Sequence, residues 1–340
     1  MVSPATPWHF LSLRTLAAQD WRHLLADAET LAGPRGREPL LRGKRAGMVF
    51  FNPSLRTRTA FEVACFDLGA HAVYHQVGGG VWKLEHRPGV VMDGDAAEHV
   101  KEGFGVLGRM LDAVGVRVFA DLKSAEDDAQ EPVLSAIAGA SGVPILNLES
   151  AMDHPHQGLA DALTLRRRFH GARAKVVVTW APHVKPLPMA VPHAAVLAFA
   201  REGHEVVVAR PEGYDLDEGV LADARMLATA AGGSVSVTAD RKAALRGARA
   251  VYAKSWGARA HYGDAAAATQ GFAANRSWMV DAAAMASTDR AVFMHCLPVR
   301  RNVVVADEVL DSKASVVLDQ ASARLDVQKA TLCRALGARP

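Results

Sequence analysis

Cysteine is scarce in this sequence, and long apolar runs are missing. Cys65, Cys296 and Cys333 are the only cysteines in 340 residues, with no C-x-x-C pair. That predicts reduced thiols and an intracellular, cytoplasmic protein rather than a disulfide scaffold. No apolar stretch reaches the ~18 residues of a membrane span. Met1 to Leu13 lack the basic and apolar segments of a signal peptide, so no membrane partner is expected. Net charge is +3 with no basic block, which argues against nucleic acid. The 14 histidines are read as forming neither an H-x-x-x-H nor a Cys/His ligand set, and no metal is expected. A Walker loop is missing, and no G-x-G-x-x-G follows a predicted strand, so no dinucleotide or other cofactor is expected.

What is present is a chain long enough for about two domains, half hydrophobic and 22% charged, as soluble globular proteins are. Strand-like and helix-like stretches alternate along it. Strands are predicted at 46–51, 70–75, 113–119 and 143–148, then at 175–180, 205–209, 234–237, 250–252 and 293–296. Helices are predicted from Thr15, after Ser54, from Met92, after His154 and over 188–200. Gly33-Pro34-Arg35-Gly36 breaks the first of these. This alternation implies an α/β fold of two doubly wound parallel-sheet domains, with a boundary between residues 150 and 160.

The chain is organised around Ser54-Leu55-Arg56-Thr57-Arg58-Thr59, between the apolar run Ala46 to Phe51 and a helical stretch that stops at Gly69. Ser54 is a natural N-cap. The helix's first N–H groups have no internal partners and its dipole end is positive. Hydroxyls and two guanidinium groups, those of Arg56 and Arg58, gather there, which suits phosphate. An ordinary capped helix with solvent-facing arginines is the alternative.

Four further places bear chemistry-capable residues. Gly78-Gly79-Gly80-Val81-Trp82 is a glycine loop with one large anchor, Trp82, which either caps local core or reaches out of it. Arg117 stands near a strand's carboxyl end, where open α/β sheets hold ligands; it is a ligand-holding group or a surface residue. His154-Pro155-His156-Gln157 follows Glu149 and opens a helix, with Pro155 at its first position. His154 is a cap or a ligand group. Cys296, in His295-Cys296-Leu297-Pro298, has no activating base evident in sequence and is not read as a nucleophile.

Together these segments resemble the aspartate and ornithine carbamoyltransferases, in the family's order and over nearly the whole chain. Ser54 to Arg58 matches the S-x-R-T-R carbamoyl-phosphate motif, His154 to Gln157 the H-P-x-Q motif, and His295 to Pro298 the H-C-L-P motif. The resemblance implies that Ser54, Leu55, Arg56 and Thr57 hold carbamoyl phosphate. It implies that Arg117 and His154 polarise the carbamoyl oxygen, and that Gln157 and the carbonyls of Cys296 and Leu297 hold the amino group. It implies that Trp82 closes the site of an adjacent subunit in a homotrimer. It implies a carbamoyl-phosphate domain (1–153), a second-substrate domain (154–324) linked by interdomain helices, and a last helix (325–340) returning to the first domain. Ala323-Arg324 departs from the family's A-x-N-R ending and leaves Arg324 as a substrate carboxylate clamp.

Ornithine carbamoyltransferases have D-x-W-x-S-M-G, whose Asp pairs with the α-ammonium; here Tyr252-Ala253-Lys254-Ser255-Trp256-Gly257 aligns, with Lys254 in place of Asp. Like charges ~4 Å apart at an effective dielectric of 20 cost about 4 kcal/mol. Free ornithine is therefore disfavoured, and an acylated α-amine is expected. Y-A-K-S-W, M-D-G-D-x-x-E-H and H-C-L-P-x-R-R-N resemble the N-acylornithine carbamoyltransferases, and Glu149, Lys254, Cys296, Leu297, Arg324 and Ala97 are expected to meet the acylornithine. Acetyl-type members have Glu at the position of Ala97 and succinyl-type members Pro. Val304, Pro188 and the run Trp180 to His183 resemble the succinyl type, so N-succinylornithine is expected, with N-acetylornithine beside it. The alternatives are an ornithine carbamoyltransferase, opposed by Lys254, and a non-catalytic paralogue, opposed by the presence of Arg56, Arg117, His154 and Gln157.

Overall fold

The computed structural model describes residues 7–78 and 82–340. The chain divides into two compact units: one comprises residues up to Ala120, Asp127–His156 and Arg324–Pro340, the other Asp121–Glu126 and Gln157–Ala323.

In the first unit, the helix α1 (Ala18–Leu31) precedes the strand β1 (Arg45–Phe50), whose last five residues are buried. After β1 come α2 (Leu55–Asp67), β2 (His71–Gln76), the short strands β3 (Leu84–Glu85) and β4 (Glu98–His99), and α3 (Val100–Met110). Then follow β5 (Ala113–Arg117), α4 (Ala125–Gln130), α5 (Pro132–Ala140) and β6 (Ile145–Asn147). The sheet runs β2-β1-β5-β6, all parallel. Val49, Val114, Val116, Ile137, Ile145 and Phe104 meet in its core. Gly115 has to be glycine: a Cβ there would stand 2.6 Å from Leu148 Cδ1 and 3.2 Å from Phe61. Beyond β6, Phe10 donates its N–H to the Ile145 carbonyl and accepts from Asn147 N–H (2.9 and 2.8 Å), lying along that edge.

The second unit contains β7 (Lys175–Trp180), α7 (Ala190–Arg201), β8 (Glu205–Ala209), α8 (Glu218–Ala231), β9 (Ser234–Thr238), α9 (Arg241–Leu245) and β10 (Ala250–Lys254). It continues through α10 (Ala265–Ala274), α11 (Ala282–Ala286), β11 (Val292–Met294) and α12 (Asp307–Leu310), once α6 (Pro155–Phe169) has entered it and until α13 (Val317–Ala335) leaves it. The sheet order is β11-β10-β7-β8-β9, all parallel. Strands such as Val176-Val177-Val178 are buried, as sheets covered on both faces require. α7 is Ala-rich and buried from Ala190 to Ala200.

Both units are thus doubly wound parallel α/β sheets, as the alternation predicts. Each has one point where successive strands lie on opposite sides of a central strand. In the first it lies between β1 and β5, and in the second between β7 and β10. Ligands bind outside the carboxyl ends of strands at such points.

Three helices start later than their sequence suggests: α1 at Ala18 rather than Thr15, α7, and most of all α3. Met92 to Ala97 is irregular, and α3 begins only at Val100. His99 Nδ1 accepts from Lys101 N–H and caps the helix, while Glu98 and His99 pair with Leu84 and Glu85. β11 likewise ends at Met294 rather than 296, and α7 starts two residues later than 188.

Candidate active site

At the carboxyl end of β1 the chain turns into α2 as the sequence suggests. Ser54 is extended (φ −152°), and its Oγ accepts from Thr57 N–H at 3.2 Å. Leu55 turns its side chain to solvent, so only its backbone can serve a ligand here. Arg56 is half-buried and Thr57 wholly buried. The loop is tied to β5: Phe51 N–H donates to the Arg117 carbonyl (2.9 Å) and Phe119 N–H to Asn52 Oδ1 (2.8 Å).

Arg58 corrects the expectation that two arginines of this motif converge. Its Nε donates to Glu62 at 2.8 Å and its guanidinium lies 3.7 Å over the Tyr74 ring, outside the helix end. The i,i+4 pairing draws it away. A different arginine takes that place. Arg324 on α13, 3% exposed, donates from Nη2 to Thr57 Oγ1 at 2.7 Å. Arg324 therefore stands with the β1–α2 turn in the first unit.

Arg117 ends β5, opposite Phe50 in register, and is 7% exposed. Its Nη1 ion-pairs Glu149, its guanidinium lies 4.4 Å over the Phe119 ring, and its Nε is buried without a partner among the described residues. Glu149 Oε2 is also 3.5 Å from His154 Nε2. Glu149 has φ +135°, rare for a side-chain-bearing residue, and its N–H donates to Asn147 Oδ1 (2.9 Å). Arg117, Glu149 and buried His154 thus form one group. Below it, His156 is wholly buried, with Nδ1 donating to the Asn147 carbonyl (2.8 Å) and Nε2 3.0 Å from Thr331 Oγ1. Burial lowers its pKa to about 3, so it is a neutral strut. Asp153, also buried, accepts from Leu13 N–H and Ser12 Oγ–H, and burial raises its pKa to about 7.

The glycine-run reading falls on residues 79–81, outside the described residues. Trp82 is half-buried; its Nε1 donates to Glu98 Oε2 at 2.8 Å and its ring meets His75 edge-on. It lines a cavity of about 680 Å³ with Tyr74, Gln76 and Leu107. Ala97 is exposed in the segment beside it, its N–H on the Lys83 carbonyl.

In the second unit, Lys254 ends β10, in register with Trp180 at the end of β7, and is 8% exposed. The loops after these strands are fastened together. Ala181 N–H donates to the Lys254 carbonyl (3.0 Å), Ser255 Oγ to the Pro182 carbonyl (3.0 Å), and Trp180 Nε1 to the Trp256 carbonyl (3.0 Å). His183 Nδ1 lies 2.9 Å from the Lys185 carbonyl, and Arg300 Nε donates to His183 Nε2 at 3.2 Å. Burial first, then nearby Lys254, Arg300 and Lys185, lower the His183 pKa to about 4. A neutral imidazole among cations suits carboxylate ligands. The sequence reading assigned no role to His183 or Arg300, which lie 117 residues apart.

His295-Cys296-Leu297-Pro298 follows β11. Leu297 is left-handed (φ +54°), and its N–H donates to His295 Nδ1 at 2.9 Å. Gln157 lies in the first turn of α6, its Nε2 on Asp161 Oδ1 at 2.7 Å. Val304, buried, packs in the core with Val280 and Phe293.

Among the described residues no group of His, Cys, Asp and Glu is placed to hold a metal. His71 and His75 have H-x-x-x-H spacing, but on β2 they stand about 13 Å apart. Gly103-Phe104-Gly105-Val106-Leu107-Gly108 has dinucleotide spacing but lies inside α3, not at a strand–helix turn. No described helix is long and apolar enough to cross a membrane.

A capped helix N-terminus with buried arginines at one switch point, and a cationic group at the other, suit oxyanion-bearing ligands. Residues 8–167 match the aspartate/ornithine carbamoyltransferase carbamoyl-P binding domain, and residues 189–335 that family's Asp/Orn binding domain. The chain is 41% identical to the N-acetylornithine carbamoyltransferase of Xanthomonas campestris pv. campestris, over 97% of this chain and 98% of that one. It is 40% identical to the N-succinylornithine carbamoyltransferase of Bacteroides fragilis, over 83% and 84%. A solved structure of an N-acetyl-L-ornithine transcarbamylase glutamate-to-alanine variant, complexed with carbamyl phosphate and N-succinyl-L-norvaline, superposes with TM-score 0.93 at 40% identity, covering 96% of this chain and 99% of that one. The chain belongs to the aspartate/ornithine carbamoyltransferase family and is a carbamoyltransferase.

Proposed function

We propose that the protein transfers the carbamoyl group of carbamoyl phosphate to the δ-amine of an N-acylated L-ornithine, in arginine biosynthesis, giving N-acylcitrulline and phosphate. The observation that carries this is Lys254, 8% exposed at the end of β10, beside neutral His183 and cationic Arg300. Such a group repels an α-ammonium and attracts carboxylates; several cations favour a succinyl acceptor, with its second carboxylate, over an acetyl one.

The first unit is the carbamoyl-phosphate domain in this reading. Ser54, Leu55 N–H, Arg56, Thr57 and Arg324 hold the phosphate. Arg117, His154 and Thr57 polarise the carbonyl, and Gln157 with the Cys296 and Leu297 carbonyls takes the amino group. The second unit holds the acylornithine through Lys254, His183 and Arg300, with Glu149, Leu297 and Ala97 on the acceptor side. The neutral δ-amine attacks the carbonyl carbon, the fixed donors stabilise the oxyanion, and phosphate leaves with its bonding pair and takes up the proton that the amine gives up. No covalent intermediate or metal is required. The protein acts in the cytoplasm as a homotrimer in which Trp82 completes a neighbouring subunit's site.

The test is product formation from carbamoyl phosphate with ornithine, N-acetylornithine and N-succinylornithine. Turnover of the succinylated amine above the other two is expected. Turnover of ornithine alone would overturn the Lys254 reasoning, and turnover of none, with carbamoyl phosphate still bound, would mark a binding protein.

A further inference from the structure

Asp161, Gln320 and Tyr252 form a buried polar group in the second unit that the proposed chemistry does not use. Asp161 on α6 and Gln320 on α13 are both 0% exposed. Asp161 Oδ1 accepts from two amides, Gln157 Nε2 at 2.7 Å and Gln320 Nε2 at 2.6 Å. Gln320 Oε1 in turn accepts the N–H of His295 at 2.9 Å, and His295 Nδ1 accepts the N–H of Leu297. One carboxylate thus connects Gln157 to the His295-Cys296-Leu297 turn.

The chemistry of the acceptor fixes the direction of every bond. A carboxylate cannot donate, so each glutamine must turn its NH2 to Asp161 and its carbonyl away. For Gln320 the carbonyl then meets the His295 N–H. For Gln157 the group turned away from Asp161 is the carbonyl oxygen, a hydrogen-bond acceptor. An acceptor recognises an amino group and gains nothing from a methyl. Burial, and the Asp161 carboxylate after it, hold the Tyr252 hydroxyl well above its ordinary pKa, so that group remains a neutral phenol beside the network.

We propose that Asp161 is a positioning residue that orients the Gln157 carbonyl and, through Gln320, the His295-Cys296-Leu297 turn, so that the site distinguishes the amino group of a carbamoyl donor from a methyl. The inference rests on the proposed use of carbamoyl phosphate. Its probe is a pair of acyl phosphates, carbamoyl phosphate and acetyl phosphate, which share phosphate and carbonyl and differ only in NH2 against CH3.

Equilibrium binding of both to the full chain gives a preference ratio. Asp161→Leu is expected to cut that ratio at least tenfold while acetyl phosphate affinity stays within about threefold. Asp161→Asn, which keeps an acceptor oxygen, recovers most of it. A merely structural role weakens both ligands in proportion and leaves the ratio unchanged, and that result overturns the inference. If the Asp161→Leu chain does not fold, Gln320→Leu carries the test: it removes one arm, and an unchanged ratio overturns the proposal equally. A wild-type chain that binds acetyl phosphate as well as carbamoyl phosphate overturns it outright. A wild-type chain that binds neither overturns the proposed function itself, and the inference with it.

Discussion

Replacing Arg324 by Gln decides which substrate that arginine serves. The residue is 3% exposed, and its Nη2 donates to Thr57 Oγ1 at 2.7 Å, beside the start of α2. A hydrogen bond from a charged donor contributes about 1.5–3 kcal/mol. A unit anion ~4 Å from such a charge gains about 4 kcal/mol more at an effective dielectric of 20, less the cost of desolvating both. Gln keeps a donor for Thr57 and loses the charge. A net loss of about 3 kcal/mol follows, roughly 150-fold in carbamoyl-phosphate affinity. Calorimetric titration with carbamoyl phosphate measures this directly, and steady-state kinetics with each substrate varied gives the matching KM values. The carbamoyl-phosphate KM rises and the acceptor KM stays within about threefold. A rise in acceptor KM alone, with carbamoyl phosphate bound as tightly as before, refutes the placement and restores the carboxylate clamp inferred from sequence.

Three further outcomes are expected. His156 is neutral in the fold with a pKa of about 3 against an ordinary 6.5, so the unfolded chain binds the extra proton below pH 6.5 and stability falls with falling pH, by about 4 kcal/mol at pH 3. His156→Gln removes this slope, read as thermal midpoints between pH 4.5 and 7.5; equal slopes in variant and wild type would count against a buried neutral imidazole. Ala97→Glu places a second anion beside a succinyl carboxylate and raises the N-succinylornithine KM by roughly tenfold or more while N-acetylornithine is spared; equal effects on both would remove Ala97 from the acceptor side. Cys296→Ala retains turnover within about tenfold, because the backbone of that turn rather than the thiol is used; a loss of many orders would mean nucleophilic catalysis.

The parts legible in sequence were those set by neighbours along the chain. Ser54 caps α2 because a short hydroxyl stands just before a helical stretch, and Pro155 opens α6 for the same local reason. Arg117 and Lys254 end strands where apolar runs stop, which fixes them at the sheets' ligand-bearing edges. Arg58 could have been placed correctly, since Glu62 four residues on is a stronger attraction than a distant site. Asp161 could also have been found, one helical turn after Gln157. Arg324 was not: its partner Thr57 is 267 residues away, and no local pattern announces that α13 reaches the start of α2. The same holds for His183 and Arg300. The late start of α3 reflects a cap made by His99, a residue seldom counted among capping types.

The strand-like segment at Phe10 has a consequence for handling the protein. β6 would be an open edge of the first sheet if Phe10 did not pair with Ile145 and Asn147. Unpaired edges recruit other chains, and the physical outcome is aggregation. The same few residues, Ser12 and Leu13, also hold Asp153 next to His154. Displacing residues 10–13 would therefore cost soluble yield and turnover at once.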